Sequence, residues 1–147
     1  MPFSTIFHKE EQCKEHRCKV DRSNIVSLFK PDKGFLDKAI EQKLFPDSNY
    51  KICDCILSCS NGNITLVEIL CGTLTTRELK EKTEQLKNCY CVVNHISLSD
   101  NITKIILQVD RLESSRKQPQ LRKKLSNTRI GSKPLILAQT RILNGAC

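Results

Sequence analysis

The stretch at 51–72, KICDCILSCSNGNITLVEILCG, constrains this chain more than any other. Two apolar runs, 52–59 and 64–70, flank Ser60-Asn61-Gly62-Asn63, a composition that makes a tight hairpin turn. Neither run leaves a polar face, so both read as central strands buried on two sides. Each nevertheless holds one acid, Asp54 and Glu68. A buried carboxylate is costly unless something compensates it, so the pair demands an explanation.

The turn decides how the acids relate. A two-residue loop, Asn61-Gly62, pairs Cys59 with Ile64 and sends Asp54 and Glu68 to opposite faces, because side chains alternate along a strand. Each would then meet water or a basic side chain at a strand end. A three-residue loop with Gly62 in the left-handed bulge position pairs Cys59 with Asn63 instead. That register sets Asp54 opposite Glu68, with Cβ atoms about 4.5–5.5 Å apart. Like charges so placed repel, and burial sharpens the repulsion. A divalent cation relieves it, and hard oxygen ligands suit magnesium or manganese. The hairpin residues alone leave both registers open.

Around the hairpin the pattern is that of an α/β domain. Residues 34–45 repeat apolar side chains at helical spacing and stop at Pro46. Thr75-Thr76-Arg77-Glu78 has the form of a capping box, with Thr75 as N-cap. The helix it opens continues toward Asn94 or yields to a strand over 89–95, where Cys-Tyr-Cys-Val-Val suits either. Residues 102–110 read as a strand, 120–125 as a short helix after Pro119, and 135–137 as a last strand. The charged segment 8–20 reads as an exposed helix or an arm, and the apolar patch after it, from Ile25 to Phe29, as docking on the core. The expected organisation is a charged segment 1–30 docked on a single domain, 31–147, with a central mixed β-sheet flanked by helices.

An acid on one strand, a tight turn, Glu-x-x on the next strand and a following helix resemble the PD-(D/E)XK nuclease superfamily over roughly residues 34–110. The resemblance implies a restriction-endonuclease-like fold. It also implies a Mg²⁺ or Mn²⁺ site formed by Asp54, Glu68 and the Ile69 carbonyl. Some members add a glutamate from the helix before the Asp strand, a place that Glu41 matches. The family's lysine, two residues after the Glu, is Leu70 here, and its Pro before the Asp is Cys53. In some members that lysine has moved to the following helix. Lys82, on the face turned toward the sheet, is the residue that fits, with a lysine snorkelling at a helix edge as the ordinary alternative.

Charge adds a partner. Residues 1–110 hold fifteen basic and fifteen acidic side chains, whereas 111–147 hold nine basic residues against Glu113 alone. Arg116, Lys117, Arg122, Lys123, Lys124 and Arg129 therefore form a candidate nucleic-acid-binding segment, or else a solvated basic flank. No apolar run reaches membrane-spanning length and no secretory leader is visible, so a cytoplasmic protein is expected. On that basis the nine cysteines read mostly as reduced, buried thiols, although a hyperthermophile's cytosol tolerates disulfides. Cys13, His16 and Cys18 lie close in sequence, but no second ligand pair completes a zinc site. Three functions are compatible with these features. One is a metal-dependent nuclease, alone, as a homodimer or within a larger assembly. Another is a catalytically degenerate nucleic-acid-binding relative, as Leu70 suggests. The third is a Cys/His metal-binding regulatory protein.

Overall fold

The computed structural model of the protein describes residues 8–31, 36–47, 49–96 and 101–147. Its first part forms β1 (His8–Glu10), β2 (Lys14–Glu15), β3 (Cys18–Val20), β4 (Ile25–Lys30) and α1 (Lys38–Leu44). The middle comprises β5 (Cys55–Cys59), β6 (Ile64–Leu74), α2 (Thr76–Ile96) and β7 (Ile102–Leu112). The chain continues with α3 (Gln118–Asn127), β8 (Arg129–Ile130), β9 (Lys133–Pro134), β10 (Ile136–Gln139) and β11 (Ile142–Leu143).

The central sheet has six strands in the order β1-β4-β5-β6-β7-β10. From β1 to β6 neighbours run antiparallel, while β7 lies parallel to both β6 and β10. A parallel neighbour requires a crossover, and α2 supplies it across one face of the sheet. This is an α/β domain built on a mixed sheet, as the element pattern predicts. On the helix face Ile56 and Leu66 pack with Leu86, Val93, Ile105 and Leu107. On the other face Leu57, Val67, Ile69 and Ile106 pack with Cys18, Val20 and Leu143, residues of a small sheet ordered β11-β3-β2. β5 and β6 are thus covered on both sides, as their unbroken apolar runs demand. Gln108, fully buried, pins the small sheet to the large one: its Nε2 donates to the carbonyls of Lys19, Thr140 and Arg141 at 3.1–3.2 Å.

Helix ends follow local chemistry. Asp37 caps α1 by accepting from the Ala39 amide at 2.9 Å, and Thr75 Oγ1 accepts from the Glu78 amide at 3.1 Å. Gly34 and Phe35, the predicted start of α1, lie outside the described residues. The ambiguous 89–95 segment is helical, because Cys89, Val92 and Val93 continue the buried stripe begun by Leu79 and Leu86.

Three expectations are corrected. Residues 8–20 form strands, not a helix or an arm: Cys13, Cys18 and Val20 turn inward between exposed charged neighbours. The amino-terminal segment also does more than dock, since β1 and β4 are strands of the central sheet. Finally, most cysteines are not thiols. Six of the nine are bonded as Cys13–Cys55, Cys53–Cys89 and Cys59–Cys147, on Cα separations of 6.0, 5.6 and 5.6 Å that suit a disulfide.

Candidate functional site

The hairpin turn takes the three-residue form. The Cys59 amide donates to the Asn63 carbonyl at 2.9 Å, the Gly62 amide donates to the Cys59 carbonyl at 3.0 Å, and Gly62 has φ +85°. Ladder pairs Ser58–Ile64, Leu57–Thr65, Ile56–Leu66 and Cys55–Val67 follow, and the next position in that register sets Asp54 opposite Glu68. There the carboxylates replace the ladder. The Asp54 amide donates to Glu68 Oε1 at 3.0 Å, and the Ile69 amide donates to Asp54 Oδ2 at 2.7 Å.

Lys82 completes the arrangement from α2. Its Nζ lies 2.9 Å from Glu68 Oε2, and the Glu68 side chain is 1% exposed. Leu70, on the same face of β6, packs against the helix-side core, so the ammonium that reaches Glu68 comes from the helix and not from the strand.

A third acid joins them that the sequence did not single out. Glu15, the last residue of β2, lies close enough to the Asp54 carboxyl for the two acids to act on each other. The Cys13–Cys55 bond explains the meeting, since it ties the residue just ahead of β2 to the residue after Asp54. Only knowledge of that pairing could have revealed it, and spacing does not encode disulfide connectivity.

Burial, then the charge of Asp54, pushes the Glu68 carboxyl up to about 8 against the opposing pull of Lys82. Burial and Asp54 raise Glu15 as well. For Lys82 burial works against the charge, but Glu68, Asp54 and Glu15 together outweigh it, and the ammonium is held above its ordinary range. One cation therefore faces three carboxyl groups. The acids are strung out on either side of Asp54, and among the described residues no three His, Cys, Asp or Glu side chains converge as a ready-made metal cage. Mg²⁺ does not need one: one or two carboxylates serve it, with water and substrate phosphate completing the shell. The facing pair Asp54 and Glu68, short of positive charge, fits that donor set.

Other predicted residues fall as follows. Ile69 is fully buried beside the acids and uses its amide on Asp54. Glu41 is not brought to the pair: it lies on α1, which packs on α2, and the principal charges acting on Glu68 are Asp54 and Lys82. The Cys13/His16/Cys18 cluster is not assembled either, because Cys13 is bonded to Cys55 and Cys18 is buried against Cys71. Arg116, Lys117, Arg122, Lys123, Lys124 and Arg129 are all exposed on α3 and its flanks. Arg129 is partly engaged, its Nη1 donating to the carbonyls of Ser126 and Thr128. Lys123 and Lys124 face α2 across a groove of about 1100 Å³, whose opposite wall carries Arg77, Lys80 and Lys87. Among the described residues no helix is long and apolar enough to cross a membrane.

No family model matches this chain, and searches of curated proteins and of solved structures return no match.

Proposed function

We propose that the protein is a nucleic-acid-binding phosphodiesterase of the PD-(D/E)XK kind, dependent on Mg²⁺ or Mn²⁺. One observation carries this reading: Asp54 faces Glu68 across the hairpin while Lys82 reaches Glu68 from the following helix. The order strand, hairpin, helix, strand, with a helix ahead of it, supports a restriction-endonuclease-like arrangement of the sheet.

In this reading Asp54 and Glu68 hold the metal. The ion, when bound, polarises the scissile phosphate and lowers the pKa of water. Lys82 acts as a fixed ammonium: its neighbours hold its proton, so it stabilises negative charge on phosphate and does not serve as a general base. Glu15 tightens the electrostatics of Asp54 from the β2 side. The basic residues of α3 attract the phosphate backbone.

A second reading rests on its own observation. Both carboxylates already accept backbone amides, and Lys82 already pairs with Glu68, so the cluster also serves as a structural closure of the ladder. A degenerate relative, binding nucleic acid without cutting it, is built this way, alone or as a subunit of an assembly.

The test incubates the protein with supercoiled, linear and single-stranded substrates in Mg²⁺, Mn²⁺ or EDTA, beside Glu68→Ala. Metal-dependent cutting that Glu68→Ala abolishes supports the first reading. Salt-sensitive binding with no cutting in either metal overturns it in favour of the second. Cutting that survives Glu68→Ala removes the site from the mechanism.

A further inference from the structure

We infer that the nucleic acid is single-stranded and runs along one track, from the basic groove between α2 and α3 to the Asp54 carboxylate. The inference rests on the nucleic-acid reading above and names the form of the ligand.

The track is a series of hollows that share walls. Arg77, Lys80 and Glu84 border both the groove and a second hollow of about 500 Å³, which reaches Tyr50, Lys51 and Gln85. Those three residues border a third, of about 280 Å³, that ends at Asp54. Asp54 and Lys30 then open on a cleft of about 650 Å³ that holds Glu15.

Two properties suit a flexible phosphodiester chain. The groove is strongly basic, with Arg77, Lys80, Lys87, Lys123 and Lys124 against Glu84. Farther on, Tyr50 stacks on Phe45 with ring centroids 4.3 Å apart, an aromatic wall beside the path. Its segment is fixed to α2: Gln85 Nε2 donates to the Ile52 carbonyl at 3.3 Å, Asn88 Nδ2 donates to the Lys51 carbonyl at 2.6 Å, and Cys53 is bonded to Cys89. Basic grooves lined with aromatic platforms are how proteins hold single strands.

The turn of the track around α2 favours a single strand over a duplex. At 100° per residue, Lys80 and Gln85 lie about 140° apart around α2, whose diameter is about 10–12 Å. Duplex DNA, stiff over about 50 nm, does not bend round one helix, whereas a single strand does. Glu81 and Glu84 border the crossing, so the attraction is concentrated at the groove.

The experiment measures fluorescence anisotropy of a labelled oligothymidylate, and of a duplex of equal length, in EDTA. The wild-type chain is expected to bind the single strand more tightly, with affinity falling as salt rises. The doubly reversed variant Lys80→Glu with Lys123→Glu, both at exposed positions, should lose at least about tenfold in affinity. Tyr50→Ala should lose roughly 5- to 150-fold, the range of one base stack. Lys9→Glu, exposed on β1 and off the track, makes the same kind of charge change and should leave affinity as it was. Preference for duplex overturns the inference, as does a loss in Lys9→Glu equal to that in Lys80→Glu or Lys123→Glu alone. Metal-dependent cutting, with binding unchanged in the Lys80→Glu, Lys123→Glu variant, leaves the nuclease reading standing and removes the track. Track-dependent binding with no cutting removes the nuclease reading and keeps the track.

Discussion

Glu68 and Lys82 form the pair on which the site turns, and each holds a proton more firmly in the folded chain than in water. Glu68 rises from an ordinary 4.5 to about 8, chiefly through burial and then through Asp54. A raised acid favours folding most when protonated. Its contribution is full below about pH 4.5 and is lost as pH climbs toward about 8. In EDTA the thermal midpoint should therefore fall between those limits, and Mg²⁺ added at pH 8 should restore it. A midpoint at pH 8 that ignores Mg²⁺ would speak against metal held by these acids. Lys82→Met removes the cation that pairs with Glu68. It should destabilise by roughly 1–3 kcal/mol at pH 8 and by much less at pH 5, where Glu68 is neutral in either chain, as paired pH-dependent denaturant titrations would reveal. Lys82 was legible in the sequence because helical spacing turns it toward the sheet. Glu15 was not, because a covalent bond elsewhere brings it in.

At the scale of elements the hairpin was written plainly. Gly62 takes the left-handed conformation that the three-residue loop requires, and that single backbone state sets the register of both acids. A Cβ at Gly62 meets nothing within 4 Å, so Gly62→Ala should cost only the backbone strain, roughly 1–2 kcal/mol, with the fold retained. Gly131→Ala should cost more, because φ is +53° and the Tyr90 ring already fills the space of a Cβ. Chemical denaturation of the two variants side by side checks the order. The α2 cap was equally readable from Thr75 and Glu78. Residues 8–20 were not, since dense charge masks the inward alternation of Cys13, Cys18 and Val20. Of their strands, β1 joins β4 in the large sheet, and β3 is received by β11 and Gln108.

For the molecule as a whole, pairing among cysteines is the least readable property, because connectivity depends on a fold that composition does not specify. The three bonds close loops of 42, 36 and 88 residues, each worth about 4–5 kcal/mol in a chain-entropy account. A cytoplasmic location is compatible with them where the cytosol tolerates disulfides, as in hyperthermophiles. Native alkylation followed by mass spectrometry should label Cys71 and Cys91 and spare Cys18, which is buried and pushed up to about 12 by burial and by Cys71. Six further labels should appear only after reduction. The Cys59–Cys147 bond, with Ala146 accepting from Thr65 Oγ1 at 2.7 Å, joins the hairpin to residues translated long after it. During vectorial synthesis the hairpin and α2 can form as soon as they clear the ribosome. The back of the sheet, covered until then only from β2 and β3, receives Leu143 and Ala146 last, so a paused ribosome would hold out a half-dressed chain with the Cys59 thiol bare.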